Sequence, residues 1–326
     1  MNESNASNPL QSDQPIVVLA EPISPEPRAW LETQVQLNEP NARSPHELFI
    51  HLHDADALIV RTYTIVNTEL LDHAPSLKVI ARAGVGLDNI DLDACTSRNI
   101  RVVHTPSANT SAVVEYVTQT MLNALRSITT VSDPSTDQRW HAMRESAITP
   151  KTCVGTRLGI VGFGKIGSSL ARVASALDME VVYYDLKDID ECHRSGAEPM
   201  SLDELASTAS VISVHVDGRA TNHHILTDTF FSLLKPDTVL INTSRGMVID
   251  PLAAADFARS NPQASFILDV HDPEPIAPDS PLLGLPNVTL TPHIAAGTRS
   301  AKENMSWVVR DIIRVLNGEE PKFPAN

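Results

Sequence analysis

The chain has 326 residues, of which 42% are hydrophobic and 20% are charged, a composition typical of globular rather than disordered or fibrous proteins. Because single hydrophobic cores stop growing at about 250–300 residues, this length predicts two domains. The formal net charge of −15 argues against nucleic acid or anionic membrane as a partner.

The beginning of the chain is polar and does not match a secretion signal, so we expect a disordered tail over residues 1–14. No apolar run reaches the roughly 18 residues that a membrane helix needs. Cys95, Cys153 and Cys192 lie too far apart in the sequence to form a disulfide framework or a metal-ligand cluster. These features predict a cytoplasmic protein that binds no metal.

Short apolar runs rich in β-branched residues predict strands of parallel sheet that are buried on both faces. The runs are residues 16–20, 57–60, 77–81, 100–103, 157–162, 180–185, 211–216, 238–243, 265–270 and 288–292. A long helical pattern from Asn109 to Ser127 separates the first four runs from the other six, and a last helix is predicted from Ala301 to Leu316. This alternation predicts an α/β fold with doubly wound parallel sheets.

The segment GFGKIG (162–167) lies between a predicted strand and a predicted helix. Gly162 permits the tight turn, Gly164 lets the backbone approach a pyrophosphate, and Gly167 lets the helix pack closely on the strand. The pyrophosphate would contact backbone N–H groups of Lys165 and Ile166, where the helix dipole favours an anion. The pattern therefore predicts a dinucleotide-binding loop.

The acidic residue expected about 20 residues after such a loop is Asp185, which lies 23 residues after Gly162 and ends the next predicted strand. Its carboxylate would bind the hydroxyl groups of the adenosine ribose and would repel a 2′-phosphate. We therefore predict NAD as the cofactor. Lys187 lies close by and leaves open whether NADP is tolerated.

Three later segments follow predicted strands, at the end of the sheet where open α/β folds bind ligands: INTSRGMVID (241–250), LDVHDPEP (268–275) and TPHIAAGT (291–298). An arginine can hold a substrate carboxylate with two bonds, and a histidine can exchange a proton near neutral pH. A carboxylate beside that histidine would orient it. Arg245, His293 and Glu274 are the candidates, although each alone is also explained as an ordinary loop or surface residue.

Taken together, these segments resemble the D-isomer-specific 2-hydroxyacid dehydrogenase family over about residues 50–318. The matching motifs occur in the family's order: ARAGVGLDNID (81–91), GFGKIG (162–167), INTSRGMVID (241–250), DVHDPEP (269–275) and TPHIAAGT (291–298). The resemblance implies an NAD-dependent enzyme that moves a hydride between nicotinamide and C2 of a small 2-hydroxy acid.

The resemblance also implies roles for individual residues. Arg245 would orient the substrate, His293 would be the acid/base, and Glu274 would be its acidic partner. Further cofactor contacts would come from Asp269, at the nicotinamide carboxamide, and from His215, Thr243 and Ser244. Backbone N–H groups around Val85 and Gly86 would bind the substrate carboxylate.

The domain plan that the resemblance implies has a cofactor domain inserted into a flavodoxin-like substrate domain. Residues 15–105 and 296–326 would form the substrate domain, and residues 106–295 the Rossmann-like cofactor domain. Family members usually form dimers through the cofactor domain, so we expect a homodimer or a dimer of dimers. Trp140 and Arg144 match the position of a dimer arm.

The sequence departs from the family in two places. Asp217 and Gly218 replace the usual proline and leucine after His215, which puts the loop against the cofactor in doubt. The insertion SDPSTDQ (132–138) precedes Trp140 and puts the dimer contact in doubt. The chain ends soon after the last helix, and we expect the regulatory domain of some family members to be absent.

The substrate is indicated by two further arginines, Arg61 and Arg82, which end predicted strands and should face the cleft. They suggest a second anionic group at C3, as in 3-phosphoglycerate or 3-sulfolactate. The motif around Arg82 most resembles 3-phosphoglycerate dehydrogenases, although Arg82 could instead pair with Asp88. Direction and stereochemistry stay open.

Two alternatives remain at this point. The first is a glyoxylate or hydroxypyruvate reductase, which needs no second anion clamp. The second is an NAD-sensing scaffold that resembles corepressors of this fold and keeps the cofactor loop without metabolic activity. Formate is disfavoured as a substrate, because formate-oxidising relatives carry an amide where this chain has Glu274.

Overall fold

The structure is a computed structural model that describes residues 14–41, 44–149 and 151–326. The predicted tail, residues 1–14, lies outside the described residues except for Gln14. Contacts divide the chain into two units: residues up to Asn109 together with Thr298–Asn326, and Thr110–Gly297. Among the helices of the described residues, none combines the length and the apolar character needed to cross a bilayer.

The first unit contains a five-stranded parallel sheet in the order β2-β1-β3-β4-β5, the strand order of flavodoxin-like folds. Its strands are β1 (Ile16–Leu19), β2 (Gln36–Asn38), β3 (Ala57–Val60), β4 (Val79–Arg82) and β5 (Arg101–Val103). Its helices are α1 (Pro25–Glu32), α2 (Pro45–Leu52), α3 (Thr68–Asp72), α4 (Leu92–Ser97), α11 (Arg299–Ser306) and α12 (Val309–Leu316).

The second unit contains a seven-stranded parallel sheet in the order β12-β11-β10-β9-β6-β7-β8, a Rossmann-type order with one additional strand. Its strands are β6 (Arg157–Val161), β7 (Glu180–Tyr184), β8 (Glu198–Pro199), β9 (Val211–Val214), β10 (Val239–Asn242), β11 (Ser265–Leu268) and β12 (Val288–Leu290). Its helices are α5 (Thr110–Leu125), α6 (Asp137–Ser146), α7 (Lys165–Ala176), α8 (Leu202–Thr208), α9 (Asp228–Leu233) and α10 (Pro251–Ser260).

Each sheet is covered on both faces, as the apolar runs predict. On β10, Val239 and Ile241 belong to one apolar cluster, which also contains residues of α5 and α7, whereas Leu240 belongs to a second cluster. Successive strand residues point to opposite faces, so the two clusters lie on opposite sides of the sheet. Two further clusters divide the first unit in the same way. The predicted doubly wound parallel α/β fold is confirmed.

Three features of the fold differ from the sequence prediction. Strands β2 and β8 were not predicted, because they are short edge strands without an apolar run. The predicted last helix is interrupted between Ser306 and Val309, where successive backbone bonds span three residues instead of four. Trp307 lies at this break and packs edge-on against Trp30, with ring centroids 6.1 Å apart.

Side chains determine where most helices begin. In these helices a backbone N–H group of the first turn donates a hydrogen bond to the side-chain oxygen of the residue before the helix. These capping residues are Asn67, Asp91, Thr136, Ser201, Thr227, Asp250 and Thr298. Helix α7 differs, because its N-terminal cap is Gly164, which has no side chain that could bond to the first turn. The start of α7 therefore leaves room for an external acceptor.

The loop after β3 is held by a buried carboxylate. Glu21 is 7% exposed and accepts backbone N–H bonds from four successive residues, Arg61 to Thr64, at 2.8–3.1 Å. Burial of the Glu21 carboxyl raises its pKa, but the four N–H donors outweigh burial and hold the pKa below its ordinary value. The ionised form of Glu21 therefore stabilises the folded state.

Replacing Glu21 with glutamine should lower the free energy of unfolding at pH 7 by about 1–3 kcal/mol, because the amide group presents a donor to the Thr62 N–H. A lowered pKa in the folded state contributes stability above the pKa of the unfolded state, and this contribution disappears as the pH falls through the folded pKa. Urea unfolding should therefore show a difference between wild type and E21Q that shrinks in acid. Glu26→Gln, at an exposed position, is the control, and a pH-independent difference for E21Q would contradict the assignment.

Candidate functional site

The predicted dinucleotide loop connects β6 to α7. Gly162 has a positive φ of 94°, and a Cβ atom there would lie 2.7 Å from the His215 backbone. A Cβ on Gly167 would lie 2.3 Å from the Gly162 oxygen, whereas a Cβ on Gly164 would meet no atom within 4 Å. The first and third glycines are thus required for packing, and the open side of Gly164 lies at the uncapped start of α7. These features fit a pyrophosphate at this helix terminus.

Asp185 follows β7 and is bonded to the same loop. One carboxylate oxygen accepts the Phe163 N–H at 2.7 Å, and the other accepts the Lys187 N–H at 2.9 Å. Phe163 lies between the first two glycines, so Asp185 connects the end of β7 to the dinucleotide loop. The acid therefore lies where an adenosine ribose would follow the pyrophosphate.

His215 lies after β9, next to Gly162 and at the point where the strand order of the sheet reverses. Its Nε2 lies 2.9 Å from the Ser213 hydroxyl, and its Nδ1 lies 3.5 Å from the Thr243 hydroxyl. Burial lowers the pKa of His215 to about 3, so this imidazole is neutral at physiological pH. His215 is therefore unsuited to exchange a proton with a substrate.

The loop after His215 contains the two residues that depart from the family. Asp217 accepts two bonds from the Arg219 guanidinium and one, at 3.0 Å, from the buried Asn222 amide. The Arg219 side chain lowers the pKa of Asp217, partial burial opposes this effect, and the charge of Arg245 lowers the pKa further. The Asp217 carboxylate thus lies within electrostatic range of Arg245, and its hydrogen bonds within the loop hold it beside Arg219.

Arg245 lies after β10 in a loop that a buried asparagine organises. Asn242 accepts bonds from the backbone N–H and the hydroxyl of Ser244, at 3.0 and 2.7 Å, and donates to the Arg245 carbonyl at 2.9 Å. The Arg245 guanidinium also donates to the Ser244 carbonyl at 2.6 Å. This turn sets the direction in which Arg245 leaves the end of the strand.

His293 and Glu274 form a hydrogen-bonded pair. The Nδ1 of His293 lies 2.9 Å from Oε2 of Glu274, and the two side chains are 45% and 34% exposed. The other carboxylate oxygen of Glu274 accepts the His271 N–H at 3.0 Å. His293 has a φ of 55°, in the left-handed region, and its own N–H donates to the carbonyls of Asp269 and Thr291 at 2.8 and 3.0 Å.

Asp269 is completely buried and holds the loop that carries His293. Its carboxylate accepts the Thr291 hydroxyl at 2.6 Å and the N–H groups of Ile294 and Ala295 at 2.8 and 2.7 Å. Because the Thr291 hydroxyl donates to this carboxylate, the Tyr116 hydroxyl must be the donor in its 2.8 Å bond to Thr291. The predicted contact of Asp269 with nicotinamide stays a prediction.

The predicted substrate residues belong to the first unit. Arg61 follows β3 and donates to the Pro22 carbonyl at 3.3 Å. Arg82 ends β4 and folds back over Gly84, where a Cβ atom would lie only 1.3 Å from its Nη1. In the next loop, the carbonyls of Gly84 and Val85 accept bonds from Thr105 and His104. These bonds use carbonyl groups and do not engage the Val85 and Gly86 N–H groups.

The structure therefore brings together the three predicted catalytic residues at the carboxyl ends of neighbouring strands in one sheet. Arg245 follows β10, Glu274 follows β11 and His293 follows β12. Sequence reasoning missed Asn242, His271 and Thr291, whose side chains hold these segments. An asparagine at the end of a strand is a turn signal that could have indicated Asn242, whereas no sequence signal distinguished the other two.

Comparison with known proteins gives the family. The model of the D-isomer specific 2-hydroxyacid dehydrogenase NAD binding domain matches residues 118–295. This chain belongs to that family, which confirms the resemblance seen in the sequence and NAD as the cofactor. The uncapped start of α7, the open side of Gly164 and the position of Asp185 fit this cofactor.

Individual relatives support the same assignment. The chain is 33% identical over 305 residues to a D-3-phosphoglycerate dehydrogenase of Archaeoglobus fulgidus, covering 93% of this chain and 57% of the relative. It is 34% identical over 288 residues to a glyoxylate reductase of Thermofilum pendens, covering 87% and 85%. The chain thus spans little more than half the length of this D-3-phosphoglycerate dehydrogenase.

A solved structure shows the same fold. The holo form of Rhodotorula graminis D-mandelate dehydrogenase superposes with a TM-score of 0.84 at 28% identity, covering 96% of this chain and 98% of that chain.

Proposed function

We propose that this chain is an NAD-dependent dehydrogenase that acts at C2 of a small 2-hydroxy acid. The observation that carries the proposal is the 2.9 Å bond between His293 and Glu274, in a loop cluster next to the segment that bears Arg245. Family membership supports the same reaction. The bound nicotinamide would supply or accept the hydride.

The geometry determines which nitrogen of His293 can act as the base. A carboxylate can only accept hydrogen bonds, so Nδ1 of His293 carries a proton directed at Glu274. In the neutral imidazole, Nε2 then has a lone pair, which accepts the proton of the C2 hydroxyl during oxidation. In the reverse direction the imidazolium returns that proton to the C2 oxygen. Glu274 fixes the tautomer and the ring orientation.

Arg245 would bind the substrate carboxylate and keep the C2 carbon in place. A guanidinium group is always charged and can bind two oxygens in one plane, which fixes both position and orientation.

We assign the cofactor role to residues 106–295 and the substrate role to residues 15–105 and 296–326. Asp185 favours NAD over NADP, because its carboxylate would repel a 2′-phosphate.

Replacing His293 with alanine should lower kcat about 10²–10⁴-fold, the usual contribution of a positioned acid/base. Arg245→Ala should lower kcat/KM by roughly 10²-fold or more. The assay is NADH formation with 3-phosphoglycerate, both 3-sulfolactate enantiomers, D-lactate, glycerate and glycolate. Binding of NADH, measured by fluorescence, should persist in both variants.

His53→Ala, at an exposed histidine in the first unit, is the matched control and should leave turnover unchanged. Full activity of H293A would contradict the assigned role. If wild type bound NADH but oxidised none of the acids, the result would favour a cofactor-sensing scaffold over a dehydrogenase.

We further propose a three-carbon acid with a second anionic group at C3, of the 3-phosphoglycerate or 3-sulfolactate type. Arg61 and Arg82 leave the carboxyl ends of neighbouring strands of one sheet, which supports a shared anion site. The relative named D-3-phosphoglycerate dehydrogenase agrees with this proposal. A glyoxylate or hydroxypyruvate reductase is the second candidate, because another relative is named glyoxylate reductase.

The contact between Gly84 and Arg82 offers a test that leaves the charge in place. A Cβ at position 84 would overlap the guanidinium, so Gly84→Ala must displace it. We expect KM for doubly anionic acids to rise about tenfold, equivalent to one good charge-assisted bond, and KM for glycolate to change less than twofold. Arg82→Gln should give the same pattern. An equal effect on all acids would indicate that Arg82 is structural, for example as a partner of Asp88.

We also propose that two copies associate through α6. This helix has no buried residue, and Trp140 on it is 48% exposed. A large exposed aromatic side chain with a nearby arginine is typical of a protein interface. Family members usually use this region for dimers.

Light scattering should give twice the chain mass of 35.4 kDa for wild type. Trp140→Ala combined with Arg144→Glu should shift the mass towards one chain, because the variant loses apolar area and reverses a charge. Trp140→Phe is the conservative control and should stay dimeric. A wild type with the mass of a single chain at micromolar concentration would disprove the assembly.

A further inference from the structure

His271 lies where the three segments of the candidate site meet. It follows β11 by three residues, in the loop that also carries Glu274. Its carbonyl group lies against the segment of Arg245, its N–H group is bonded to Glu274, and its side chain is bonded to the segment of His293. None of these contacts was expected from the sequence.

The side chain of His271 is directed at the loop of His293. Its Nε2 lies 2.9 Å from the carbonyl oxygen of Thr291, and the histidine is half-buried. Because a carbonyl only accepts, Nε2 of His271 must carry the proton in this bond. The same carbonyl accepts the N–H of His293 at 3.0 Å, so both histidines are bonded to one oxygen atom.

The backbone N–H of His271 is directed at the other member of the pair. It donates to Oε1 of Glu274 at 3.0 Å, while Oε2 of Glu274 binds His293. His271, Glu274, His293 and Thr291 thus form a closed ring of hydrogen bonds. A displacement of His271 would change both the Glu274 carboxylate and the backbone of His293.

The third contact is with the segment of Arg245. A Cβ atom on Gly246 would lie 2.0 Å from the carbonyl carbon of His271 and 2.4 Å from the Asp272 nitrogen. Only a glycine allows this approach of the two backbones. The residue after Arg245 therefore lies directly against His271.

His293 depends on such support because its backbone is in the left-handed region, with φ of 55°. For a residue other than glycine this conformation is uncommon and requires surrounding contacts to maintain it. The Thr291 carbonyl is one of its two backbone acceptors, and His271 fixes that carbonyl from the other side.

We infer that His271 is a positioning residue for the Glu274–His293 pair, acting through the hydrogen bond from its imidazole Nε2 to the Thr291 carbonyl. The expected effect on kcat rests on the proposed function, whereas the expected effect on the bond between His293 and Glu274 does not. A residue that merely filled space would be replaceable by an aromatic ring of similar size. A positioning residue would be replaceable only by a side chain that donates at the same place.

Two variants separate these cases. His271→Phe keeps the ring and removes the donor, whereas His271→Gln keeps an Nε2 donor and removes the ring. We expect H271F to lower kcat about tenfold, with KM for the acid and the affinity for NADH within twofold of wild type. H271Q should restore kcat to within threefold of wild type. In a Glu274→Ala background, H271F should have less than a threefold effect, because the acceptor of the His293 bond has been removed.

The crystal structures of both variants provide a readout independent of turnover. The separation between His293 Nδ1 and Glu274 Oε2, 2.9 Å in the wild type, should exceed hydrogen-bonding distance in H271F and stay unchanged in H271Q. An H271F variant with wild-type kcat and an intact pair would overturn the inference, as would an H271Q variant as impaired as H271F. A wild type inactive on every acid would instead refute the proposed function, and the crystallographic result would still decide the role of His271.

Discussion

The carboxylate of Asp269 is the contact on which the candidate site most depends. It is completely buried, and its three donors come from a hydroxyl and two backbone N–H groups of the single loop 291–295. A buried charge is costly unless it is fully hydrogen-bonded, so the loop cannot leave this position without leaving the carboxylate unpaired. That constraint holds His293 in its left-handed conformation and directs its imidazole at Glu274.

The same principle of an acid bound to backbone N–H groups recurs at the end of other strands. Glu21 binds the loop after β3, and Asp185 binds the dinucleotide loop from the end of β7. In each case a side-chain carboxylate binds a loop at the carboxyl end of a parallel sheet. Backbone N–H groups in such a loop have no partner in a neighbouring strand, so the carboxylate supplies the acceptor. These bonds restrain loops that carry candidate site residues.

Whether a feature of the fold or the site could be predicted depends on whether its interactions join residues close in the sequence. The ten predicted strands coincide with apolar runs, and the glycine loop follows a short pattern between a strand and a helix, so both could be predicted. Strands β2 and β8 contain few apolar residues, so no apolar run marks them, whereas the edge strands β5 and β12 do coincide with apolar runs. The last helix is interrupted at Trp307, whose contact with Trp30 joins residues distant in the sequence. The side-chain bonds of His271 and Thr291 join loops about 20 residues apart, so their partners are known only when the strand order is known.

The acidic character of the chain places a condition on how an anionic substrate would be bound. A net charge of −15 repels an anion at long range, but at physiological salt this repulsion is screened beyond about 8 Å. Binding must therefore come from nearby groups, and Arg245 has an acid, Asp217, within electrostatic range. Asp217 accepts two bonds from the Arg219 guanidinium, so its charge is largely compensated inside its own loop. If Arg245 binds a substrate carboxylate as proposed, Arg219 would keep Asp217 from competing for it, and the loop that departs from the family pattern would be compatible with the proposed chemistry.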